Sequence, residues 1–502
     1  MSTKSNYYAA IDLGSNSFHL IVVEYAHHQI KVVDKHVEVV RLASGLDKKN
    51  RLSDSVRRKA LECLERFSQR LKTVPKKNIR IVGTNTLRSL SKSGEFIKQA
   101  SKALDHDIEV ISGFEEARLI YLGVSHSLED EHDKRLVIDI GGGSTEFIVG
   151  RHFEQGSLNS LEMGCVTITN KFFPDGCINQ KRLNKAIQHC QLKLLPHKEK
   201  INSSHWNVAI GSSGTIKSIT SIVRELHGKL SPITFEDLKK IKQALLYFEH
   251  VDQINIHGLK KNRIPVILGG FAVLYAAFKS LKINKMFTSS YSLREGLIYE
   301  MIGRIEKEDV REKTVKGILS KYNQDITHLK NVAKASIAFY DQVSGSWSIS
   351  SSSFDCRKLL YWSALLHEIG STISHKRIQK HSAYLIENTD MAGFSQTEQQ
   401  ILALLILSHK KKIPETLIDS FQMTKNTIIL YRLIIILRIS VLLFRDRNNH
   451  KLPTVSAKDN QIMLFFDVDW INKHTLTQLD LEIEATTLSK YGFELIYFDK
   501  MT

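Results

Sequence analysis

The sequence predicts an α/β fold of two similar domains, followed by an all-α domain and a small α+β domain at the carboxyl end. Three observations carry this. Up to about residue 300, short apolar runs alternate with helix-periodic segments, the pattern of sheets layered with helices. A strand–turn–strand unit occurs twice, about one domain length apart. From about Glu306 the strand pattern fades into helical periodicity, and short β-like runs return only near the end.

In chain order, the strand candidates are Ala9–Leu13, Phe18–Val23, Ile79–Val82, Ile108–Ile111, Leu136–Ile140, Phe147–Val149 and Val208–Ile210. Val56, Ala60, Leu64, Phe67 and Leu71 fall at helical spacing behind a cap at Ser53. Arg357–Ile386 and the apolar stretch after Thr424 read as helices, and Ser344–Ser353 as a loop. Ile462–Phe466 and Phe493–Phe498 read as strands. A chain of 502 residues exceeds one core. The expected domains are 1–124, 125–305, 306–455 and 456–502.

Apolar residues at 42% and charged residues at 25% exclude a disordered chain. The 70 Lys and Arg against 53 Asp and Glu leave a formal charge of +17, which favours an anionic partner without choosing among nucleic acid, membrane surface and polyphosphate. Five scattered cysteines, none in a C-x-x-C pair, read as reduced core thiols. No signal-peptide pattern opens the chain. The most apolar stretch, Thr427–Phe444, contains Arg432 and Arg438, each costing about 2.5–3.5 kcal/mol at a helix centre in lipid, so a buried helix is expected. The expected location is cytoplasmic, with a peripheral contact at the inner face of the cell membrane.

The repeated unit is where chemistry enters. Ala-Ile-Asp12-Leu-Gly-Ser-Asn-Ser-Phe-His and Val-Ile-Asp139-Ile-Gly-Gly-Gly-Ser-Thr-Glu each run an apolar strand into Asp and then a Gly/Ser turn. Turns of this kind offer successive backbone N–H groups to phosphate, here Gly14, Ser15, Asn16 and Ser17, then Gly141, Gly142, Gly143, Ser144 and Thr145. Asp12, Asp139 and Glu146 supply carboxylates suited to Mg²⁺, which takes one or two of them alongside substrate phosphate oxygens. The plainer alternative, two tight hairpins with hydrophilic tips, explains one copy better than a pair. A third turn, Gly211, Ser212, Ser213, Gly214 and Thr215, follows a strand and opens a helix toward an anion. Gly269-Gly270 is equally readable as a packing device. Arg88 can pair bidentately with phosphate or stand in solvent. Ser112 and Glu115 have capping-box spacing, whereas Glu116 is open to two readings, a general base for water or a solvated first-turn acid.

Taken together with Gly83-Thr-Asn-Thr-Leu-Arg88, Ile111-Ser-Gly-Phe-Glu-Glu-Ala-Arg118, Met163-Gly-Cys-Val, Gly211-Ser-Ser-Gly-Thr-Ile-Lys217 and Leu293-Arg-Glu-Gly-Leu, these motifs resemble the exopolyphosphatase / guanosine pentaphosphate phosphatase family over essentially the whole chain. The resemblance implies two actin-like (ribonuclease H-like) domains, an HD-like helical domain and a small tail, usually as a homodimer. It implies Glu116 as general base and Asp139 with Glu146 as metal- and phosphate-positioning acids. Asn16, Arg88, Gly141, Gly142, Ser144 and the Gly211–Thr215 turn become phosphate contacts, with Ser15 and Gly143 beside them. Ser292 departs from the family pattern, with local packing rather than chemistry in question. The implied cofactor is Mg²⁺, and the implied substrate is inorganic polyphosphate or guanosine pentaphosphate, not nucleic acid. Gly141–Gly143 and His381-Ser-Ala-Tyr-Leu-Ile-Glu-Asn388 resemble the exopolyphosphatase branch more closely. A Lys/Arg-rich stretch from Ile401 to Asn460 would track a long polyanion, or form an ordinary solvated surface.

Two other classes compete. A kinase of the same fold group would need an adenosine pocket and an acceptor-binding insert, neither recognisable here. A non-enzymatic nucleotide-binding regulator would not need Glu116, Asp139 and Glu146 together. Leu366-His367-Glu368-Ile369-Gly370, with His375 and His381, resembles an HD-phosphohydrolase helix. Glu368 stands where that signature needs Asp, so the expectation is a remnant fold with core or surface histidines.

Overall fold

A computed structural model describes residues 6–499 apart from 27–28, 48, 91–92, 128–133, 229–230, 306–309, 323–324, 350–353, 390, 416–417, 419–426 and 449. Glu306 at the expected boundary, the end of the Ser344–Ser353 loop, and Asp419 and Lys425 of the basic stretch lie outside the described residues. The chain divides into two compact units, Met1–Glu308 and Asp309–Thr502.

The first unit holds two sheets built on one plan. One consists of β1 (Asn6–Leu13), β2 (Phe18–Ala26), β3 (Gln29–Glu38), β4 (Ile79–Gly83) and β5 (Glu109–Val110), ordered β3-β2-β1-β4-β5. The other consists of β6 (Lys134–Ile140), β7 (Thr145–Arg151), β8 (Glu154–Leu161), β9 (Val208–Ser212), β10 (Ile233–Thr234) and β11 (Lys285–Thr288), ordered β10-β11-β9-β6-β7-β8. In each, a three-stranded antiparallel meander is extended from its first strand by parallel strands, β4 on β1 and β9 on β6. Edge strands β3 and β8 are additions to the sequence reading. The helix expected behind Ser53 runs Asp54–Leu71 and buries Ala60, Cys63, Leu64, Phe67 and Leu71 along one stripe.

Two helices, Gly113–Ser125 and Leu293–Ile305, pack backbone to backbone between the sheets. Close approach demands glycine at the crossing: a Cβ on Gly123 would lie 2.2 Å from the Ser292 carbonyl oxygen, and one on Gly296 1.9 Å from that of Leu119. Leu119, Tyr121, Leu297 and Ile298 share one apolar cluster with Ala10 and Ile21 of the first sheet and Val137 and Ile148 of the second. Leu293–Ile305, assigned by sequence to the second domain, thus packs on a helix of the first.

Glu115 departs from its reading as a simple cap. Its N–H donates to Ser112 Oγ at 3.1 Å, but its carboxylate turns inward to Arg118 (Nε–Oε2 2.7 Å, NH2–Oε1 2.8 Å). Arg118 also reaches Glu300 at 2.7 Å, and Glu300 pairs with Arg80, which holds Glu109. All but Glu109 are buried, so this network pins the start of one central helix to the body of the other. Gly269 and Gly270 serve packing: Cβ atoms there would meet the Cys165 carbonyl oxygen at 2.3 Å and Thr215 Cγ2 at 2.5 Å. Their stretch, Lys261–Leu281, is long and apolar enough to cross a membrane by length and composition, yet 67% of its apolar 18-residue window is buried in this fold. Four cysteines are buried, and Cys177 is exposed.

The second unit packs helices Val310–Lys321, Ile326–Val343, Cys356–Leu366, Ile378–Glu387, Gln396–Ser408 and Thr427–Leu443 around one core. The core also takes in a sheet of β12 (Thr454–Lys458), β13 (Gln461–Phe466) and β14 (Glu494–Asp499). The helix expected over Arg357–Ile386 breaks at a 3₁₀ turn, Ile369–Thr372, where Gly370 lies against the backbone of Ser382.

Much of the basic stretch is engaged inside the unit, while Lys410, Lys411, Lys412 and Lys458 are exposed. Arg438 is buried and donates two bonds to Glu484 and two to the carbonyls of Ser408 and Lys411. Arg432 donates to the carbonyls of Trp347 and Asp459. Arg445 pairs with Asp480, Arg447 with Asp325 and Glu368, and Lys451 with Asp467. The residue spacing hid this, because the acids that hold these cations lie far away in sequence.

Candidate active site

The two hairpin tips face each other across a cavity of ≈ 510 Å³ in the first unit. Its lining includes Asp12, Ser15, Asn16, Glu116, Asp139, Gly141, Gly142, Gly143, Ser144, Ser213 and Gly214. A Cβ on Gly142 would lie 2.8 Å from Ser15 Cβ, and one on Gly143 2.2 Å from Asn85 Oδ1, so the tips can meet this closely only with glycine there. Gly211, Ser212 and Thr215 stand back from the lining. Gly211 and Ser212 are still strand, Ser212 Oγ donates to the Tyr291 carbonyl at 2.8 Å, and Thr215 is buried under Gly270. The helix Ser213–His227 begins at the cavity, with Ser213 in the left-handed region (φ 72°) and its Oγ donating to the Ile140 carbonyl at 2.7 Å.

Each tip is braced from behind in the same way. The carbonyls of Ser15 and Asn16 accept from the N–H groups of Ala43 and Arg41, at 2.9 and 2.8 Å. The carbonyls of Gly141, Gly142 and Gly143 accept from Cys165, Val166 and Gly164, each at 2.9 Å. In a trans peptide the N–H points opposite to the carbonyl. The N–H groups of Asn16, Ser17, Gly142, Gly143 and Ser144 are therefore turned to the other side, forming two anion nests. The Met163-Gly-Cys-Val motif finds its physical role here.

Strand register places the acids. Asp139 and Glu146 are direct cross-strand partners on β6 and β7, which puts their side chains on one face. The equivalent pair on β1 and β2 is Asp12 and His19. Burial raises the pKa of Asp139, against hydrogen bonds led by that from Ser292. It raises Glu146 well above the carboxylate range, with Glu116 and Asp139 adding to the effect. Asp12 is pushed up to about 8, chiefly by burial and then by the Glu116 charge. His19 is held neutral by burial and by Arg294, and its Nδ1 and Asp12 Oδ1 are buried without a hydrogen-bond partner among the described residues. Mutually repelling carboxylates with an orphaned oxygen are what a hard divalent cation would satisfy, and Mg²⁺ needs only one or two of them, so Asp12 and Asp139 at the cavity lining fit it, while Glu146, expected as a metal ligand, stands outside that lining.

Glu116 projects from the first turn of Gly113–Ser125 into the cavity, 8% exposed. Burial raises its pKa, opposed by Arg88, whose NH1 lies 3.0 Å from Oε2. The same NH1 donates to the Ile111 carbonyl at 2.7 Å, so Arg88 orients Glu116 from outside the cavity lining. Glu146 likewise sits behind, its Oε1 accepting from Ser160 Oγ at 2.8 Å.

Sequence reasoning missed four participants. Lys217, one turn into its helix, Arg263 and Arg294 line the cavity, and Arg294 NH1 is buried without a partner among the described residues. Lys217 and Arg294 lie inside motifs quoted for the resemblance, but nothing local marks them as facing the cavity. The fourth, Ser292, corrects the view that only packing is at stake there: its Oγ donates to Asp139 Oδ2 at 2.6 Å.

Residues 20–305 match the Ppx/GppA phosphatase family and residues 310–485 match Ppx/GppA phosphatase, domain III. A guanosine-5'-triphosphate,3'-diphosphate pyrophosphatase of Aliivibrio fischeri is 37% identical over 497 residues, 99% of this chain and 98% of that one. A protein of the same name from Vibrio cholerae is 37% identical over 98% of both chains. Among solved structures, an exopolyphosphatase from Cytophaga hutchinsonii superposes with a TM-score of 0.56 at 25% identity, covering 60% of this chain and 98% of its own. An Aquifex aeolicus Ppx/GppA protein, at 20% identity and TM-score 0.51 over 61% of this chain and 99% of its own, shares the fold. Paired actin-like sheets, facing glycine hairpins and a matching third domain give one answer: the chain belongs to the Ppx/GppA phosphatase family.

Proposed function

We propose that this phosphoanhydride hydrolase removes the terminal 5'-phosphate of guanosine 5'-triphosphate 3'-diphosphate. The expectation of polyphosphate as the main substrate gives way here. Relatives that match nearly the full length carry the guanosine-nucleotide name, whereas the exopolyphosphatase likeness covers 60% of the chain. Four cations of the basic stretch that favoured a long polyanion, Arg438, Arg445, Arg447 and Lys451, are engaged with internal acids.

The observation that carries the chemistry is one cavity in which two N–H nests, five cationic side chains (Lys35, Lys217, Lys260, Arg263 and Arg294) and a raised-pKa glutamate meet. The nests, with Lys217, Arg263 and Arg294, bind the terminal phosphates. Held by Asp12 and Asp139, with Glu146 behind them, Mg²⁺ would offset phosphate charge. Glu116 accepts the proton from the attacking water, and a base whose pKa is shifted toward neutrality suits that step. A new P–O bond forms to water, the bridging P–O bond breaks, and the nucleotide departs with the bridging oxygen. Steady-state kcat/KM for the guanosine pentaphosphate against long-chain polyphosphate tests the substrate. A preference for the nucleotide, with one phosphate released per molecule, is expected. A higher kcat/KM on polyphosphate would instead favour the second reading, exopolyphosphatase activity.

The metal assignment predicts a pH effect. Asp12 has a folded pKa of about 8 against 3.8 when unperturbed. Stability from this group is therefore full below pH 3.8 and lost as pH rises toward 8. Metal-free protein should show a falling Tm across that window, and Mg²⁺ should flatten the curve. Superimposable curves with and without Mg²⁺ would remove Asp12 from the metal site. Ser292→Ala deletes a hydrogen bond to a charged group, worth about 1.5–3 kcal/mol. It should raise the Mg²⁺ needed for half-maximal rate by about tenfold, most strongly on the acid side, because Asp139 then holds its proton to higher pH. An unchanged Mg²⁺ requirement would confine Ser292 to packing.

A further inference from the structure

The second unit brings together three residues that the phosphatase reading leaves idle. His328 lies in the first turn of Ile326–Val343, and His367 and Glu368 follow the last turn of Cys356–Leu366. One ligand atom from each falls within 4.8 Å of the others. Glu368 Oε1 is 3.9 Å from His328 Nε2 and 4.0 Å from His367 Nε2, too far for hydrogen bonds. His375 and His381 do not join them.

The surroundings prepare these groups as ligands. His367 is fully buried, and its Nδ1–H donates to the Ala364 carbonyl at 2.7 Å, which leaves the lone pair on Nε2. That Nε2 has no hydrogen-bond partner among the described residues, an unusual state for a core histidine. A backbone carbonyl on the remote nitrogen is the common support of a metal-bound imidazole. Glu368 is oriented from its other oxygen: Arg447 NH2 donates to Oε2 at 2.9 Å, and Arg447 is held in turn by Asp325 at 3.1 Å. Burial keeps both imidazoles neutral, His367 down to about 4 and His328 below its ordinary value. Both imidazole nitrogens stand 3.9–4.0 Å from Glu368 Oε1, outside the hydrogen-bonded contact of a simple His–Glu ion pair.

We propose that His328, His367 and Glu368 bind a first-row divalent transition metal through two imidazole nitrogens and one carboxylate oxygen. Nitrogen donors disfavour Mg²⁺ and suit Zn²⁺, Mn²⁺, Fe²⁺ or Co²⁺. Around a tetrahedral ion with bonds of about 2.0–2.1 Å, ligand atoms stand roughly 3.4 Å apart, so from separations of 3.9, 4.0 and at most 4.8 Å binding requires the three atoms to draw in by about 0.5–1.4 Å. The ion ties the start of one helix to the end of the next and keeps open coordination positions. The longer reach of Glu368 than of Asp is compatible with this role, and the site is no mere remnant. The inference does not depend on the substrate of the first unit.

Cobalt is the probe. Full-length protein is stripped with chelator, supplied with excess Mg²⁺ to fill oxygen-donor sites, and titrated with Co²⁺. One equivalent should develop the visible absorption of imidazole-bound cobalt, and Zn²⁺ should displace it. His328→Gln and His367→Gln should abolish the band, while Arg447→Gln should weaken binding by about tenfold. Mg²⁺-supported phosphate release should be unchanged in His367→Gln. Circular dichroism checks each fold. Should a histidine variant not fold, Glu368→Gln at the half-buried ligand decides, with at least tenfold weaker binding expected. No cobalt band in folded wild type, or a band that survives in the folded variants, overturns the proposal.

Discussion

Glu116→Gln should slow phosphate release by about 10²–10⁴-fold, the usual contribution of a positioned general base. Glutamine keeps an oxygen for Arg88, which lies 3.0 Å from Glu116 Oε2, but cannot take a proton at neutral pH. Equilibrium binding of the guanosine nucleotide should persist, because the nests and the cations are untouched. The pH profile provides the control. The base works only when ionised, and its pKa is raised by burial. The wild-type rate should therefore fall on the acid side at a pH above the ordinary glutamate range, and that limb should vanish in the variant. Wild-type turnover in Glu116→Gln would exclude this residue as the base.

Arg118→Met should produce the largest loss of stability. Arg118 sits between Glu115 and Glu300, all three buried. Methionine fills similar volume but leaves Glu115 without its two-bonded partner, and breaking a buried ion pair in this way costs about 3–5 kcal/mol. Against a typical margin of about 5–15 kcal/mol, that is a large share of what holds a domain folded. Denaturant unfolding would measure it. Adding Glu115→Gln to Arg118→Met should recover part of the loss, since the buried charge that lost its arginine is then removed. No recovery in the double variant would mean that the loss comes from packing alone.

What the sequence disclosed follows a physical divide. The strands bearing the two Asp residues were legible because they are apolar runs ending in turn residues, and the repeat made each copy interpretable through the other. Strands β3 and β8 were not, because edge strands carry polar and charged residues: Lys31, Asp34 and Lys35 in one, Glu154, Gln155 and Asn159 in the other. At the site, Glu116, Asp139 and the glycine tips were readable as motifs. Lys217, Arg263, Arg294 and Ser292 were not, since a lone basic residue or hydroxyl gains meaning only when tertiary packing brings it to the cavity. The same limit explains Arg438, whose partner Glu484 is supplied by a distant helix. His328 and His367 are likewise separated in sequence and meet only because consecutive helices run back on each other.

The near-duplicate hairpins place different residues opposite their aspartates, His19 in the first and Glu146 in the second. Asp12, Glu116 and Asp139 already line the cavity with carboxylates, Glu146 adds a fourth from behind, and its visitor is itself a polyanion. A fifth acid at position 19 would raise an entry barrier that Lys217, Arg263 and Arg294 would have to overcome before any phosphate reached the nests. By remaining an uncharged ring, His19 makes the two halves unequal in charge though alike in shape, and tilts the field so that anions are drawn in rather than expelled.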